Sequence, residues 1–304
     1  MKREIKNIAA SVRARLFNLS KATNRNFDAV LLQYFQERLL YRLSISPYKL
    51  NFILKGALLF LIYDIPVSRP TKDIDFLWVD SSNTEKNLLH IMKEVISIKD
   101  KDGVRFDTES LDSEIIKEDA DYQGIRIFCK VFLEQAYRRI HFDIGFGNII
   151  VPNPLSLDFP VLLSDMSCPK LIAYTPESAM AEKFEAIVKL GFTTSRMKDF
   201  YDIYHMANHR SFNSTILKEA IQTTFINRKT KLLNRTLIYS DEFINDPFKN
   251  EQWKAFLRRM DINIDLSFYD CINCIKTFIE PLFEENNNNK IWKTDKLSWV
   301  NISN

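Results

Sequence analysis

The segment Arg69–Leu77 places two aspartates, Asp73 and Asp75, on either side of Ile74 in an otherwise apolar stretch. A β-strand projects alternate side chains to the same face, so both carboxylates point the same way. Neighbouring carboxylates repel each other and are costly to desolvate, and a bound cation relieves both costs. An isolated Asp-x-Asp is a weak signal, because the same pattern occurs on solvated strand ends and turns. We interpret this one as a Mg²⁺-binding strand, since closely spaced carboxylate oxygens suit that ion.

Groups with complementary chemistry flank this strand in the sequence. Upstream, Lys55-Gly56-Ala57 is a small-residue turn that can present backbone N–H groups to an anion. Downstream, Asp143 is embedded in a second short apolar strand. A glycine turn, a carboxylate pair and a third carboxylate form the minimal set for nucleotidyl transfer with two metal ions. The predicted metal ligands are Asp73, Asp75 and Asp143, and the predicted nucleotide-binding residues here are Lys55, Gly56, Ala57, Arg69 and Thr71.

Composition sets broad limits on the class of protein. The chain has 304 residues, 46% of them hydrophobic, which supports two domains with substantial cores and excludes wholesale disorder. Its net charge of +3 is too balanced to indicate nucleic acid binding by itself. The sequence has no apolar run of membrane-spanning length, no signal-peptide core and no zinc-site pattern among its four cysteines. We therefore expect a reduced, cytoplasmic protein without a membrane partner.

Basic residues nevertheless cluster in two places. Among the charged residues of 2–25 only Glu4 is acidic, and 228–235 contains Arg228, Lys229, Lys231 and Arg235 without an acid. Such clusters form either solvated helix faces or patches that contact phosphates, and the sequence alone leaves both interpretations open.

The first half of the chain predicts a mixed α/β domain. Helical periodicity alternates with short apolar runs that are typical of strands. The acidic stretch 107–121 interrupts these runs, and prolines make 151–161 an irregular connector. The predicted elements are helices over 4–22 and 26–45, a third helix within 50–63 that begins around the glycine turn, and strands near 73–79, 124–134 and 138–146.

From about residue 175 onward the periodicity is nearly all helical. Thr175-Pro176 supplies an N-cap and a proline at the first helical position, and Gly191 a C-cap. A second helix is predicted to begin at Ser195, while 291–302 has no assigned structure. Further helices are predicted near 214–228, 248–260 and 265–284. The whole pattern favours an α+β fold, with an α/β domain and its N-terminal helices in 1–165 and an all-α helical bundle in 166–304.

Lys183 lies on an otherwise apolar face of the first of these helices. A lysine in such a position usually extends its charge to solvent. The next helix favours a phosphate-binding role, because Arg196 and Lys198 lie in its first turn, where the helix dipole is already positive. A bound phosphate would offset that cost. Asp199 and Asp202 then follow one turn apart.

Together these motifs resemble the AbiEii/AbiGii toxin family of nucleotidyltransferases, within the DNA polymerase β-like superfamily. Phe52–Phe60 followed by Arg69–Asp75 is similar to the family's first motif, and Asp143 to its third carboxylate. Ala181–Ile187 resembles the family's lysine-bearing helix, and Ser195–Asp202 its Arg-x-Lys-Asp motif. The matches run in the family's order from about residue 8 to about residue 210.

The resemblance implies a polymerase-β-like nucleotidyltransferase domain, a mixed sheet with flanking helices, and an active-site cleft completed by the helical bundle. It implies Mg²⁺ as cofactor and a nucleoside triphosphate (NTP) as substrate, with a nucleoside monophosphate (NMP) group moving to an acceptor. In several members the acceptor is the 3′ end of tRNA, which stops translation. It further implies a tRNA or other RNA partner and a cognate antitoxin protein.

The resemblance also implies roles for individual residues. It places the catalytic lysine on Lys183, with Asp199 orienting Lys183 or Lys198. Ala57 departs from the superfamily, which usually has glycine or serine there; alanine can offer the triphosphate only its backbone N–H. The implied catalytic residues are Asp73, Asp75, Asp143, Lys183 and Asp199, and the implied nucleotide-binding residues of the second half are Arg196, Lys198 and Asp202.

Two alternatives stay open. A nucleotidyltransferase that acts on a small molecule or a protein hydroxyl would use the same residues but would be indifferent to the 228–235 cluster. A degenerate, non-catalytic member that binds RNA or an antitoxin would lack Mg²⁺-dependent nucleotide binding.

Overall fold

The computed structural model of the protein describes residues 7–65, 71–79, 83–119, 122–147, 149–262, 264–285 and 289–302. The chain forms two compact units. The sheet unit takes its described residues from 1–62, 70–147 and 155–173, and the helical unit takes its own from 63–69, 148–154 and 174–304.

The sheet unit is built on a mixed β-sheet. Its helices are α1 (Ile8–Ala22), α2 (Phe27–Ser44), α3 (Leu59–Ile62) and α4 (Glu85–Ser97). Its strands are β1 (Phe52–Lys55), β2 (Asp73–Trp78), β3 (Val104–Asp119), β4 (Tyr122–Leu133), β5 (Ala136–Gly145), β6 (Leu155–Asp158) and β7 (Lys170–Ala173). Over the described residues the strand order is β3-β4-β5-β2-β1-β7-β6. The central strand β2 runs parallel to β5 and antiparallel to β1.

The core of this unit includes charged as well as apolar side chains. Helix α2 contacts β5 and β7 and carries buried Glu37, Arg38 and Arg42. Arg42 donates to both carboxylate oxygens of buried Asp102, at 2.6 and 3.1 Å. Burial raises the pKa of Glu37 to about 7, against the opposing effect of its ion pair with Arg38. A buried charge is tolerated only when it is paired, and the Arg42–Asp102 pair joins α2 to the segment just before β3.

The helical unit consists of helices and one short hairpin. Its helices are α5 (Pro176–Leu190), α6 (Met197–His209), α7 (Ser214–Asn227), α8 (Asp241–Ile244), α9 (Pro247–Arg259) and α10 (Phe268–Ile279), and its strands are β8 (Lys290–Lys293) and β9 (Ser298–Asn301). Helix α5 contacts α6 and α7, and α6 also contacts α10. The hairpin is anchored to α6 by Trp292, whose Nε1 donates to the carbonyl oxygen of Ala207. Among the described residues, none of the helices combines the length and the apolar character that a membrane crossing needs.

The structure confirms the predicted α+β fold and most of the predicted helices. Helices α1 and α2 and strands β2, β4 and β5 lie where the periodicity placed them. Thr175 caps α5 by accepting from the Ser178 backbone N–H, and Gly191 ends it with φ +47°. The second helix of this half begins at Met197 rather than Ser195, with Arg196 as its N-cap.

The helix predicted within 50–63 begins at the glycine turn, as expected, but the strand that precedes it was not predicted. Phe52–Lys55 forms β1, in which all four residues are buried, and the chain becomes helical only from Gly56 onward. A short run that is apolar on every side has no periodicity to separate strand from helix. The pairing of β1 with β2 and β7 decides its conformation.

Two predicted interruptions are wrong. The acidic stretch 107–121 contains most of β3, and the connector 151–161 contains β6. Both strands lie at the edges of the sheet, where charged residues and prolines are common because one side of the strand stays unpaired. Over 291–302, where no structure was assigned, the chain forms most of the β8–β9 hairpin.

Candidate functional site

Strand β2 presents both of its aspartates on one face of the sheet. The alternation places Asp73 and Asp75 on this face, while Ile74 and Phe76 point the other way and are 0% and 1% exposed. In the parallel pairing of β2 with β5, Asp75 lies opposite Asp143. The pairing therefore brings the predicted third carboxylate beside the predicted pair.

The register extends this contact into a row of charged residues across five strands. We call this set the charged row: Glu114 on β3, Arg126 on β4, Asp143 on β5, Asp75 on β2 and Lys55 on β1. Opposite charges alternate along it except at one point, where Asp143 and Asp75 are neighbours. Directly opposed like charges destabilise a sheet, so this is the position at which a cation would be most stabilising.

Asp143 is held by an arginine fork. Arg126 Nε donates to Asp143 Oδ1 at 2.8 Å, and Arg126 Nη2 donates to Oδ2 at 2.7 Å. Arg126 Nη1 also lies 3.7 Å from Oε1 of Glu114. The hydrogen bonds to Asp143 raise the pKa of the Arg126 guanidinium, against a smaller opposing effect of burial. Both oxygens of the third carboxylate are thus engaged by one protein cation.

Asp73 is more accessible than Asp143. Its side chain is 42% exposed, against 10% for Asp143. Asp73 Oδ1 lies 3.5 Å from Nδ1 of His141, its register partner on β5. The backbone that leads into β2 is held from α2, where buried Gln36 donates to the carbonyl oxygens of Thr71 and Lys72. Asp73 is therefore the more solvent-accessible of these two carboxylates, and the backbone that carries it is held in place.

The predicted glycine turn lies against Asp75. Gly56 has φ +75°, and a Cβ placed on it would come within 2.8 Å of Asp75 Cγ. Only glycine combines that backbone conformation with so close an approach. Lys55 is buried at the end of β1, and Ala57 follows in a short 3₁₀ helix. Of the remaining predicted residues, Thr71 donates to the carbonyl oxygen of Asp73, whereas Arg69 lies outside the described residues.

The donor chemistry of this face fits Mg²⁺. The ion is commonly held by one or two carboxylates, with water and substrate phosphates filling its other positions. Asp73 and Asp75 supply such a pair. Among the described residues, no three acidic, histidine or cysteine side chains are arranged to share one metal ion. The role of Asp143 as a third ligand therefore stays a prediction.

In the helical unit, Lys183 is held by two carboxylates of α6. Its Nζ donates to Asp199 Oδ1 at 3.1 Å and to Asp202 Oδ2 at 2.8 Å. The lysine side chain is 12% exposed, whereas those of Asp199 and Asp202 are 2% and 0% exposed. A lysine that only extended its charge to solvent would not be fixed in this way. The two carboxylates therefore set the orientation of Lys183 between α5 and α6.

Two further predicted cations flank these carboxylates at the start of α6. Arg196 Nε donates to Asp199 Oδ2, and Lys198 is exposed. Burial acts to raise the pKa of Asp199, but Lys183, Arg196 and Lys198 together hold it well below its ordinary value. Asp199 therefore stays ionised and links Lys183 to Arg196. Lys249 of α9 donates to the carbonyl oxygen of Thr194, which holds the chain just before Arg196.

The basic cluster 228–235 is only partly a solvent-exposed surface. The Arg228 side chain is 8% exposed and forms ion pairs with Glu182 and Glu185 of α5. Arg235 pairs with Glu280. Lys229 and Lys231 are exposed. Of the earlier cluster, Lys2, Arg3 and Lys6 lie outside the described residues, and Arg15 pairs with Asp165.

Sequence reasoning missed the residues that support the site. Arg126 lies within a predicted strand, but its partner Asp143 becomes visible only once β4 and β5 are paired in register. His141 lies in the predicted strand 138–146 and Gln36 in the predicted helix 26–45, and neither was given a role. No local pattern identifies such residues, because each contacts a partner far away in sequence.

Comparison with known proteins identifies the family of the chain. A family model described as the AbiEii nucleotidyltransferase toxin of type IV toxin–antitoxin systems matches residues 38–278. A search of curated proteins finds no match.

Solved structures are similar in fold. MenT4, a nucleotidyltransferase toxin from Mycobacterium tuberculosis H37Rv, aligns with a TM-score of 0.51 and 18% identity, over 84% of this chain and 93% of its own. JHP933 from Helicobacter pylori gives a TM-score of 0.41 at 15% identity, over 78% of this chain and 97% of its own. The family model spans well over half of the sequence, and it includes every candidate catalytic residue. The chain belongs to the AbiEii family of nucleotidyltransferase toxins of type IV toxin–antitoxin systems.

Proposed function

We propose that this nucleotidyltransferase moves an NMP group from an NTP to an acceptor hydroxyl in the presence of Mg²⁺, and that the acceptor is the 3′ end of a tRNA. The observation that carries the proposal is the meeting of Asp75 and Asp143 in the charged row, beside the Gly56 turn. An anion-binding turn next to paired carboxylates suits a metal–triphosphate substrate better than it suits an uncharged one.

In this reaction the acceptor oxygen forms a bond to the α-phosphorus, and the bond from that phosphorus to the bridging oxygen breaks. The acceptor proton passes to a carboxylate of this face or to water, and pyrophosphate leaves with the bridging oxygen. Mg²⁺ bound at this face would stabilise the attacking and leaving oxygens. Asp73 and Asp75 would hold it against the triphosphate, and Asp143 would complete the face at which the acceptor hydroxyl is activated. The backbone N–H groups that follow Lys55 would bind phosphate oxygens.

The helical unit supplies cations for the same chemistry. Lys183, Arg196 and Lys198 would neutralise charge that builds up on the phosphates in the transition state. We assign Asp199 and Asp202 to positioning, because both are buried and both bind Lys183. Full burial argues against direct contact between Asp202 and the nucleotide.

Support for an RNA acceptor comes from the family motifs and from exposed cations. Lys198, Lys229 and Lys231 are exposed on the helical unit and are suited to contact phosphates. Arg228 is tied to α5 and is not counted among them. A tRNA acceptor would place the protein in the cytoplasm. Membership of a type IV system further favours a cognate antitoxin that opposes the activity.

A transfer assay tests the acceptor. Purified protein is incubated with Mg²⁺, total tRNA and each α-labelled NTP in turn, with Asp73→Ala as the inactive control. Because Asp73 is part-exposed, the variant should fold normally. We expect label on tRNA with the wild type alone.

Charge reversal at Lys229 and Lys231 tests whether these lysines contact the RNA. It should lower the rate of label transfer to tRNA and reduce the dependence of that rate on salt concentration. Charge reversal at Lys254, which is also exposed, should change neither.

Other outcomes would redirect the proposal. Label on protein or on a small molecule, with none on tRNA, would keep the enzyme and reject the acceptor. Unchanged turnover in Asp73→Ala would reject the metal ligands. Absence of both transfer and Mg²⁺-dependent NTP binding would favour a binding-only protein.

A further inference from the structure

The fork between Arg126 and Asp143 bears directly on how many cations this face can hold. The inference drawn from it rests on the proposed metal face. Arg126 binds both oxygens of Asp143, at 2.8 and 2.7 Å, in the paired geometry that gives the strongest hydrogen bonds between charged groups. Asp143 is 10% exposed, so water screens this pair only partly.

Arg126 is also held from its other side. Its register partner on β3 is Glu114, with Oε1 lying 3.7 Å from Nη1. The guanidinium therefore lies between two carboxylates on adjacent strands. This arrangement fixes a positive charge on the side of Asp143 that faces away from Asp75.

A cation at Asp143 would have to compete with that charge. The guanidinium neutralises the charge of Asp143 and occupies two of the roughly four lone-pair positions on its carboxylate, one on each oxygen. Asp73, by contrast, is 42% exposed. The alternation of side chains along β2 places it on the same face of the sheet as Asp75.

We propose that Arg126 is a positioning residue that restricts the nucleotide-free protein to one divalent cation, held by Asp73 and Asp75. Arg126 thereby acts as a fixed cation in place of a second ion while no nucleotide is bound.

Mn²⁺ binding tests this directly. The free Mn²⁺ signal in electron paramagnetic resonance is measured during titration of the wild type, Arg126→Gln and Arg105→Gln, without nucleotide. Arg105 is the control because it lies on the same sheet and stacks on Phe132. We expect one site in the wild type and in Arg105→Gln. Arg126→Gln should gain a second site or bind about tenfold more tightly or better, given the strength of hydrogen bonds between charged groups.

A second variant keeps the test valid if Arg126→Gln fails to fold. Arg126→Lys retains the charge but cannot form the fork, so it should bind Mn²⁺ with intermediate affinity. Equal stoichiometry and affinity in the wild type and both Arg126 variants would overturn the proposal. If the wild type still transfers nucleotide in that case, only the role of Arg126 fails. If Asp75→Asn also leaves Mn²⁺ binding unchanged, the metal face itself is wrong.

Discussion

At the scale of single residues, the site depends on which charges become neighbours. Asp75 and Asp143 are far apart in sequence but opposite each other in the sheet, and each has a cation on its other side. The Gly56 turn closes against Asp75 at a distance that leaves no room for a side chain. The position of one carboxylate thus depends on a glycine on the adjacent strand.

This dependence predicts the effect of Gly56→Ala. The new Cβ would displace the Asp75 carboxylate, and displacement of a catalytic group by about 1 Å lowers turnover by about 100-fold. Gly147→Ala is the matched control, because Gly147 has φ +73° but nothing within 4 Å of the added Cβ. Both variants should lose thermal stability because of their positive φ, Gly56→Ala the more because its Cβ also collides with Asp75, and only Gly56→Ala should lose transfer activity. Equal activity in the two variants would contradict the close approach.

At the scale of elements, the pairing of α5 with α6 is as specific as the sheet register. Lys183 from α5 lies between Asp199 and Asp202 of α6, and Arg196 binds the outer oxygen of Asp199. These four groups carry two positive and two negative charges in a largely buried place. Removal of one partner therefore leaves the buried charges of this cluster unbalanced.

A single and a double variant of this charge cluster separate the structural from the catalytic role of Lys183. Lys183→Met should lower the free energy of unfolding in urea by about 3–5 kcal/mol, because a buried carboxylate loses its partner. Lys183→Met combined with Asp202→Asn should recover most of that loss. Neither variant should transfer nucleotide. Lys254→Met, which removes an exposed lysine of the same unit, should change stability by less than about 1 kcal/mol.

The double variant decides between the two roles. A folded double variant that transfers nucleotide at the wild-type rate would show that Lys183 serves stability alone. A double variant no more stable than the single one would contradict the charge balance.

The same elements show what the sequence can predict. Alternation on β2 and the Thr175 cap of α5 are local signals, and both were predicted correctly. β1 and β3 were not predicted because their conformation depends on pairing with strands far away in sequence. The Arg126–Asp143 fork has the same origin, since it requires the register of β4 with β5.

At the scale of the whole molecule, family membership and local geometry point to one reaction. The sheet unit carries a glycine turn and three carboxylates on one face, and the helical unit carries an oriented lysine with two further cations. The family model spans both units. The proposed reaction uses Mg²⁺ and an NTP.

The most direct test of this account compares transfer from an NTP labelled at the α-phosphate with transfer from the same NTP labelled at the γ-phosphate. Wild type, Asp75→Asn and Gly147→Ala are assayed with Mg²⁺ and tRNA, and pyrophosphate release is followed in parallel. We predict that only the α-label reaches the acceptor, with one pyrophosphate for each nucleotide added, and that Asp75→Asn is inactive while Gly147→Ala is active. Transfer of the γ-label, or wild-type transfer by folded Asp75→Asn, would contradict nucleotidyl transfer at the charged row.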